Sequence, residues 1–243
     1  MKTTGEMRRA LLLVLLPALA QAAPTGLNQI PTTDLVPLKQ LTVQLQNGNT
    51  DIDGDGSVWH QPQLVPQSEL GLPYRFEAGI DVAPANPPHD YRPIANLKWN
   101  PIVEDYRIPA VAVGATQLGP DFSPNYFLAL SKTINYDQIQ YQKFRAHHRN
   151  IKLRGIRLHV GMLRTSNAWR AMIGTDVEVN DRLVLYADWL SGADDAVSLG
   201  GVFIINRQNS VQASLLRANN QDRVTGILLA ITHTFDFDHP FEW

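Results

Sequence analysis

Three aspartates at alternate positions form the motif that points most directly to chemistry. They are Asp51, Asp53 and Asp55, within the stretch NTDIDGDGSVW, and a glycine follows them. An EF-hand calcium loop begins with oxygen ligands at alternate positions and glycine at the sixth, but its twelfth position is a bidentate Glu. The twelfth position here is Pro62, and the residues before the motif read as a strand. We therefore interpret the motif as a polar hairpin loop, with weak calcium binding, at best in about the millimolar range, as the alternative.

The histidines give weaker signals. His147 and His148 are adjacent, so on a strand their side chains would point to opposite faces and not share an ion, and a solvated basic loop is the favoured interpretation. His159 lies on a charged face near Arg157 and is a candidate general base, although a lone His of this kind usually belongs to a polar network. The sequence has no phosphate-binding glycine loop and no G-x-S-x-G or H-E-x-x-H motif. We predict that the protein is not an enzyme and has no cofactor.

The residues around these candidates alternate in hydrophobicity. Apolar side chains occupy every second position from Tyr74 to Val82, from Ile156 to Met162 and, with one exception, from Trp169 to Val179. A period of two indicates strands with one apolar face. Turn-forming clusters separate further candidates, which bring the count to about twelve. These are Leu41 to Leu45, Gln61 to Leu70, Ala95 to Trp99, Pro109 to Gln117, Tyr126 to Thr133, Leu183 to Trp189, Leu199 to Ile205, Val211 to Leu215 and Val224 to Phe237.

Two architectures can use such strands. In a soluble periplasmic sandwich or lipocalin-like barrel, which would bind an apolar ligand or a partner, the apolar face points inward. In an outer-membrane barrel the apolar face meets lipid, and charged and small residues line the lumen. Three features favour the membrane: small residues on the polar face, as at Ala112, Gly114 and Thr116, tryptophans near strand ends, and aromatic residues on one parity at the end of the last strand, such as Phe235 and Phe237. We predict an all-β fold, a single antiparallel up-and-down transmembrane β-barrel.

The charged face of these strands would project into one lumen. The candidate lumen-lining residues are Arg75, Glu77, Asp81, Lys98, Arg157, His159, Arg170, Asp176, Glu178 and Asp188. The interior of a barrel of about twelve strands is intermediate between a packed core and an open porin channel. Two interpretations therefore stay open, a plug of ion pairs and a narrow polar pore that passes small solutes.

The first residues predict the compartment. Three basic residues precede the apolar run ALLLVLL, and AQA follows at residues 20–22. These features are typical of a secretory signal peptide, so we predict a signal peptide at residues 1–22 and one outer-membrane barrel domain at residues 23–243. The chain has no cysteine, which excludes a lipid-modified cysteine, a disulfide framework and a thiolate metal site. Its formal net charge of −2 provides no basic surface for nucleic acid.

A membrane barrel with both termini in the periplasm has an even number of strands and short periplasmic turns. The predicted strands meet this expectation, and they place the loop with the three aspartates outside the cell. The exception is Asn135 to Asn150, NYDQIQYQKFRAHHRN, which is long for the periplasmic side. This stretch is either an insertion or a further strand.

Several short stretches resemble one known family. The stretches are PTGLNQIPTTDLVP, LALSK, RLHVGMLR, ADWLSGADDAVSLGGVF and GILLAITHTF. Over most of the chain after the signal they are similar to YjbH-like outer-membrane β-barrel proteins associated with exopolysaccharide production in Gram-negative bacteria. The resemblance implies an outer-membrane barrel with a role in moving or organising surface polysaccharide, and it implies no catalytic residue. The expected partners are outer-membrane lipid, the barrel-assembly machinery acting on the C-terminal strand, and polysaccharide or small polar solutes.

Overall fold

The computed structural model describes residues 26–50, 63–85, 90–105, 107–134, 155–193, 195–220 and 226–238. Within these residues the chain forms one closed barrel of twelve antiparallel strands, which confirms the predicted fold class. The strands are β1 (Gln40–Thr50), β2 (Gln63–Leu72), β3 (Phe76–Ala85), β4 (Asp90–Ile102), β5 (Ala110–Leu118), β6 (Asn125–Ile134), β7 (Ile156–Arg164), β8 (Trp169–Asn180), β9 (Leu183–Leu190), β10 (Ala196–Ile204), β11 (Asn209–Ala218) and β12 (Gly226–Asp236).

The strands follow one another around the barrel in sequence order. Each pairs with its neighbours in the chain, and β1 closes the sheet on β12, from Gln40 opposite Asp236 to Thr50 opposite Gly226. Closure leaves no unpaired edge strand among the described residues. We call the end of the barrel at which β1 begins and β12 ends the terminal end, and the opposite end the distal end.

The two faces of the sheet differ in chemical character. In β7 the outward side chain of Leu158 is 43% exposed, whereas the neighbouring His159 points into the lumen and is 1% exposed. In β12 the side chains of Ile227, Leu229 and Ile231 are exposed, and the residues between them are buried. The apolar side chains therefore face outward, as in a membrane barrel and opposite to a soluble barrel with an apolar interior.

Aromatic side chains lie at both rims of the outward surface. At the terminal end Phe76 and Trp99 stack, with ring centroids 5.7 Å apart. At the distal end the guanidinium of Arg164 lies 5.7 Å from the ring centroid of Trp169, and Tyr126 is exposed nearby at the start of β6. Girdles of this kind flank the apolar band of membrane barrels.

The strand predicted to begin at Tyr74 begins at Phe76 instead. Tyr74 and Arg75 have positive φ angles of 58° and 64° and belong to the short 3-10 turn Pro73–Arg75. Pro73 favours a turn here because its ring fixes φ, and the alternation of residue types continues through the turn by coincidence. The prediction that Arg75 is an inward-facing strand residue is therefore wrong, and its side chain is exposed at the terminal end.

Residues 26–38, which belong to none of the predicted strands, lie inside the barrel, and we call them the lumenal segment. The segment enters at the terminal end, where Leu38 forms a parallel bridge with Gly71. Its tip turns back on itself, because Gly26 pairs with Pro31 and the main-chain N–H of Leu27 donates to the carbonyl oxygen of Ile30 at 3.1 Å. The core of the barrel therefore consists of this segment and the inward side chains around it.

Several predictions concern residues outside the described ranges. They are the signal peptide at residues 1–22, the calcium candidate with Asp51, Asp53 and Asp55, and the stretch Asn135 to Asn150 with its two histidines. Among the described residues, no helix has the length and apolar character needed to cross a membrane.

Candidate functional site: the occupied lumen

Asp188 holds the tip of the lumenal segment. It points inward from β9 and is 2% exposed. Its Oδ2 accepts hydrogen bonds from the main-chain N–H groups of Asn28 at 2.7 Å and Gln29 at 3.0 Å. Its Oδ1 accepts from Gln29 Nε2 at 3.0 Å and from Ser198 Oγ at 2.6 Å. These four donors offset part of the cost of burying the carboxylate.

Hydroxyl and amide groups contact the tip on the side of β11. Asn28 Oδ1 accepts a hydrogen bond from Ser214 Oγ at 3.1 Å. The same Ser214 Oγ lies 2.5 Å from the hydroxyl of Tyr186, which also accepts from Gln212 Nε2 at 2.7 Å. The tip is therefore hydrogen-bonded to three consecutive strands, β9, β10 and β11, either directly or through one side chain.

An apolar pocket receives the aliphatic side chains of the tip. Ile30 packs in a buried cluster of inward residues, with Leu27 against it. The other members of the cluster are Phe127, Ala129, Leu163, Met172 and Leu190. A Cβ on Gly174 of β8 would lie 2.6 Å from Leu27 Cδ1 and 2.8 Å from Ile30 Cδ1, so any larger residue would force the ends of these two side chains to shift. Burying a side chain such as Ile30 contributes about 1.5–3 kcal/mol.

A buried ion pair contacts the segment closer to the terminal end. Lys98 Nζ lies 3.1 Å from Glu77 Oε1, and neither side chain is more than 1% exposed. Glu77 Oε2 accepts the main-chain N–H of Val36 at 2.7 Å. On the adjacent strand a Cβ on Gly71 would clash with the carbonyl oxygen of Pro37. The position of the segment is thus set by a charge pair that is costly to break once buried.

A second charged group surrounds Asp34. Arg157 donates from Nη1 to Asp34 and from Nη2 to Thr33 Oγ1 at 2.9 Å, and its Nε lies 3.7 Å from Glu104 Oε2. Asn100 Nδ2 donates to the carbonyl oxygen of Thr33 at 2.6 Å. Asp34 lies outside the strands, and burial raises its pKa, but the guanidinium of Arg157 and the hydrogen bond from Thr32 together outweigh burial, so the pKa of Asp34 is lowered overall. The carboxylate is therefore ionised at neutral pH, as the contact with Arg157 requires.

A cavity of about 310 Å³ separates part of the segment from the wall at the terminal end. The residues that line it are Thr33, Asp34, Leu35, Arg75, Asn100, Val103, Glu104, Ala110 and Arg157. Arg75 reaches this cavity from the turn before β3, so its guanidinium still lies at the entrance of the lumen although it does not belong to a strand.

His159 takes part in a Ser-His-Asp contact inside the lumen. Ser131 Oγ lies 2.7 Å from its Nδ1, and Asp176 Oδ2 lies 2.6 Å from its Nε2. In a hydrolytic triad the carboxylate contacts Nδ1 and the nucleophile contacts Nε2, so this ring has the opposite orientation. Ser131 is also 1% exposed and lies within the strand ladders on both sides of β6, where its main chain is poorly placed to stabilise an oxyanion. The geometry is that of a polar network joining β6, β7 and β8.

The remaining candidate residues occupy different depths of the wall. Glu77, Asp81, Lys98, His159 and Asp188 are buried, and Arg157, Arg170, Asp176 and Glu178 are half-buried. Asp81 accepts a hydrogen bond from Asn96 Nδ2 at 2.5 Å. Arg170 Nε lies 3.2 Å from Asp195 Oδ2 towards the distal end. The structure brings Glu77 together with Lys98 and His159 together with Asp176, whereas Arg170 belongs to a separate pair. In the described part of the chain no three His, Asp or Glu side chains are grouped to hold a metal ion.

Sequence reasoning missed the lumenal segment and its uncharged partners. The segment has no hydrophobic period and contains Pro31 and Pro37, so it reads as an ordinary loop. The partners Asn100 and Ser214 lie at inward positions, since Asn100 shares the parity of Lys98 and Ser214 has the opposite parity to the exposed Leu215. That parity was the signal by which they could have been found.

Comparisons with known proteins support the architecture. Neither a protein-family model nor a curated protein matches the sequence. Among solved structures, KdgM porin aligns with a TM-score of 0.50 at 7% identity, covering 80% of this chain and 99% of that chain. The same porin in complex with disordered oligogalacturonate gives 0.49 at 7% identity, over 81% and 99% of the two chains. The translocator domain of the autotransporter NalP from Neisseria meningitidis gives 0.36 at 10% identity, over 84% and 90%. At such identities the likeness to KdgM porin concerns the fold alone, a porin-like β-barrel.

Proposed function

We propose that this chain is an outer-membrane channel for small polar solutes whose lumen is closed by the lumenal segment. It is exported with the predicted signal peptide removed, inserted by the barrel-assembly machinery through β12, and surrounded by lipid. The outward apolar surface with its two aromatic rims supports the membrane location. The contacts of the segment with Asp188, Glu77 and Arg157 support the closed state.

The contacts of the lumenal segment with the wall are the observation on which this proposal rests. Both interpretations of the charged face, a plug and a polar pore, apply to the same lumen. Charged wall residues such as Asp188 and Arg157 contact the segment, so other wall residues do not neutralise them completely. Without the segment, Asp188 and the inward groups around it would line a water-filled space. Withdrawal of the segment would then convert a filled barrel into a polar pore.

Saccharides are one class of solute with suitable chemistry. Carboxylates and amides such as Asp188, Asn96 and Asn100 hydrogen-bond readily to hydroxyl groups. A role in polysaccharide export, which the resemblance to YjbH-like proteins implies, would be a specialised form of the same function. The proposal includes no enzymatic step, since the Ser131 and His159 contact has the geometry of a structural network.

The test is conductance of purified protein in planar lipid bilayers. We compare the full chain with a variant that lacks residues 26–35, after both have been checked for the heat-dependent gel mobility of a folded barrel. We expect rare, small openings for the full chain and steady, larger conductance for the shortened variant. A folded shortened variant that conducts no ions would contradict the channel, and recovery of folded protein from a detergent-free periplasmic fraction would contradict the membrane location.

A further inference from the structure

The wall of the lumen contacts both the polar side chains and the main chain of the lumenal segment, and the main-chain contacts come from three wall residues. Asp188 accepts the N–H groups of Asn28 and Gln29, and Glu77 accepts the N–H of Val36. Asn100 donates to the carbonyl oxygen of Thr33 at 2.6 Å. Main-chain groups are common to all polypeptides, so these contacts would serve a segment of another sequence equally well.

Specificity comes from the polar side chains of Asn28, Gln29 and Asp34, from one apolar position and from the shape of the tip. Ile30 is 1% exposed in its pocket, and Gly174 leaves room for its side chain. A Cβ on Gly26 would clash with the carbonyl oxygen of Ile30, so the tip also requires glycine. The features that the wall selects are therefore a glycine-containing turn with polar side chains, an aliphatic side chain four residues after the glycine, and accessible main-chain groups on both sides of that side chain.

We propose that the lumen is a binding site for a polypeptide segment of this kind, and that it accepts such a segment from another chain when its own is withdrawn. This inference rests on the proposed function, because it concerns the same lumen and names the class of partner. The chain's own segment is the resident ligand. Because it is covalently tethered, its effective concentration is about millimolar or higher, so a second chain binds only when the resident segment is absent or weakened.

The proposed site differs from a permanently packed core in the nature of its contacts. A permanent core would be held by interlocking apolar side chains over its whole length. Here the apolar cluster contacts the segment only at Leu27 and Ile30, and Val36, which is also buried, lies outside that cluster. The rest of the segment is held by separate hydrogen bonds and one ion pair, between Arg157 and the half-buried Asp34. Such contacts can be exchanged with water or with another chain one at a time.

The experiment measures binding of a synthetic peptide, GLNQIPTTDLVP, which corresponds to residues 26–37, by calorimetry in detergent. The receptor is the variant lacking residues 26–35, and the full chain with Ile30→Asn is a second receptor that keeps the length of the segment and weakens its docking. We expect both receptors to bind the peptide and the unaltered full chain not to bind it. A peptide with Ile30→Asn should bind the shortened variant at least about tenfold more weakly.

Two controls identify the site. Asp188→Asn in the shortened receptor should weaken binding about tenfold or more, because one of two accepting oxygens is replaced by an NH2 group and a donor of the bound segment loses its partner. Asp121→Asn, at an exposed rim residue that pairs with Arg92, should leave binding unchanged. A scrambled peptide of the same composition should not bind.

Absence of binding to both folded receptors, equal binding of the scrambled peptide, or equal binding by the unaltered full chain would each overturn this inference. None of these results depends on conductance. Conductance of the shortened variant without peptide binding would overturn the inference and leave the proposed channel intact. Peptide binding without conductance would overturn the proposed channel and leave this inference intact.

Discussion

At the scale of single residues, the lumen is organised by carboxylates that accept main-chain N–H groups. Asp188 and Glu77 lie on different strands, yet the side chain of each accepts hydrogen bonds from the backbone of the same short segment. Hydrogen bonds to charged groups contribute about 1.5–3 kcal/mol each, and a buried donor left without a partner costs about 1–3 kcal/mol. A small number of substitutions in the wall should therefore be enough to change the docking of the segment.

Replacing Asp188 by Asn should loosen the tip of the segment. Asn has one accepting oxygen where Asp has two, so its amide group faces either the two main-chain N–H groups or Gln29 Nε2 and Ser198 Oγ, and at least one of these donors loses its partner. We expect hydrogen exchange of the amides of Asn28 and Gln29 to accelerate about tenfold or more, corresponding to about 1.4 kcal/mol or more. Mass spectrometry of the peptide covering residues 26–35 measures this change. Unaltered protection in Asp188→Asn, matching that in the rim variant Asp121→Asn, would show that the carboxylate does not hold the tip.

The contact of Asp34 with Arg157 should respond to pH in a defined direction. Burial alone would raise the pKa of Asp34. The guanidinium of Arg157 and the hydrogen bond from Thr32 together lower it by more, so the pKa lies below its ordinary value of 3.8. The stabilisation by this contact is complete above the unfolded pKa and is lost as the pH falls through the lower folded pKa. Carbon NMR of the Asp34 carboxyl should show a midpoint below 3.8 in the full chain.

The matched variant for this titration is Arg157→Gln. Without the guanidinium the burial of Asp34 remains, so the midpoint should move upward, above 3.8. A midpoint that is the same in both proteins would mean that Arg157 does not set the pKa of Asp34.

At the scale of the elements, strands were predictable and the lumenal segment was not. The period of two in stretches such as Ile156 to Met162 depends only on neighbouring residues, so it indicated both the strand and the face of each side chain. Tyr74 and Arg75 were wrongly included, since a turn can interrupt alternation without changing the residue types, and single end residues such as Pro109, Ile205 and Phe237 also lie outside the strands. The segment is held by contacts such as Gln29 with Asp188, which are 159 positions apart in the sequence. No local pattern encodes contacts of that range.

Filling the space beside the tip should expel the segment without breaking the barrel. In Gly174→Val the added side chain would meet Leu27 and Ile30, whose Cδ1 atoms lie 2.6 and 2.8 Å from the position of a Cβ. We expect higher conductance and protease access to residues 26–35, with unchanged heat-dependent mobility. The outward neighbour provides the control, since Ile173→Val changes volume on the opposite face. Conductance that is equal in the two variants would argue against close packing of the tip on β8.

At the scale of the whole molecule, the barrel is inverted relative to a soluble one. Exposed leucines, isoleucines and valines cover its outside, and charged residues such as Lys98 and Asp81 are fully buried inside. The sequence indicated this arrangement through the small residues of the inward face and the aromatic residues at strand ends. It did not indicate whether the lumen was open, because that depends on residues 26–38, which lie inside it.

A charge on the outward surface should therefore prevent membrane insertion. Leu158→Arg near the midplane should cost about 2–4 kcal/mol in lipid. We expect loss of the heat-dependent mobility shift and degradation of the protein in cells. Leu158→Met, which conserves the apolar character, should assemble normally. Normal assembly of the Arg variant, with position 158 accessible to a water-soluble reagent, would reverse the assignment of the two faces.

The central claim, a membrane channel closed by its own segment, is tested most directly by tethering that segment. Asn28→Cys with Ser214→Cys places two thiols at a contact where Ser214 Oγ and Asn28 Oδ1 are 3.1 Å apart, in a chain that has no other cysteine. Single-channel recording compares this variant before and after addition of a reductant, with disulfide formation checked by thiol titration. We predict fewer or no openings in the oxidised form and recovery of the openings of the full chain after reduction. Equal conductance in the two redox states would contradict the claim that the segment closes the channel.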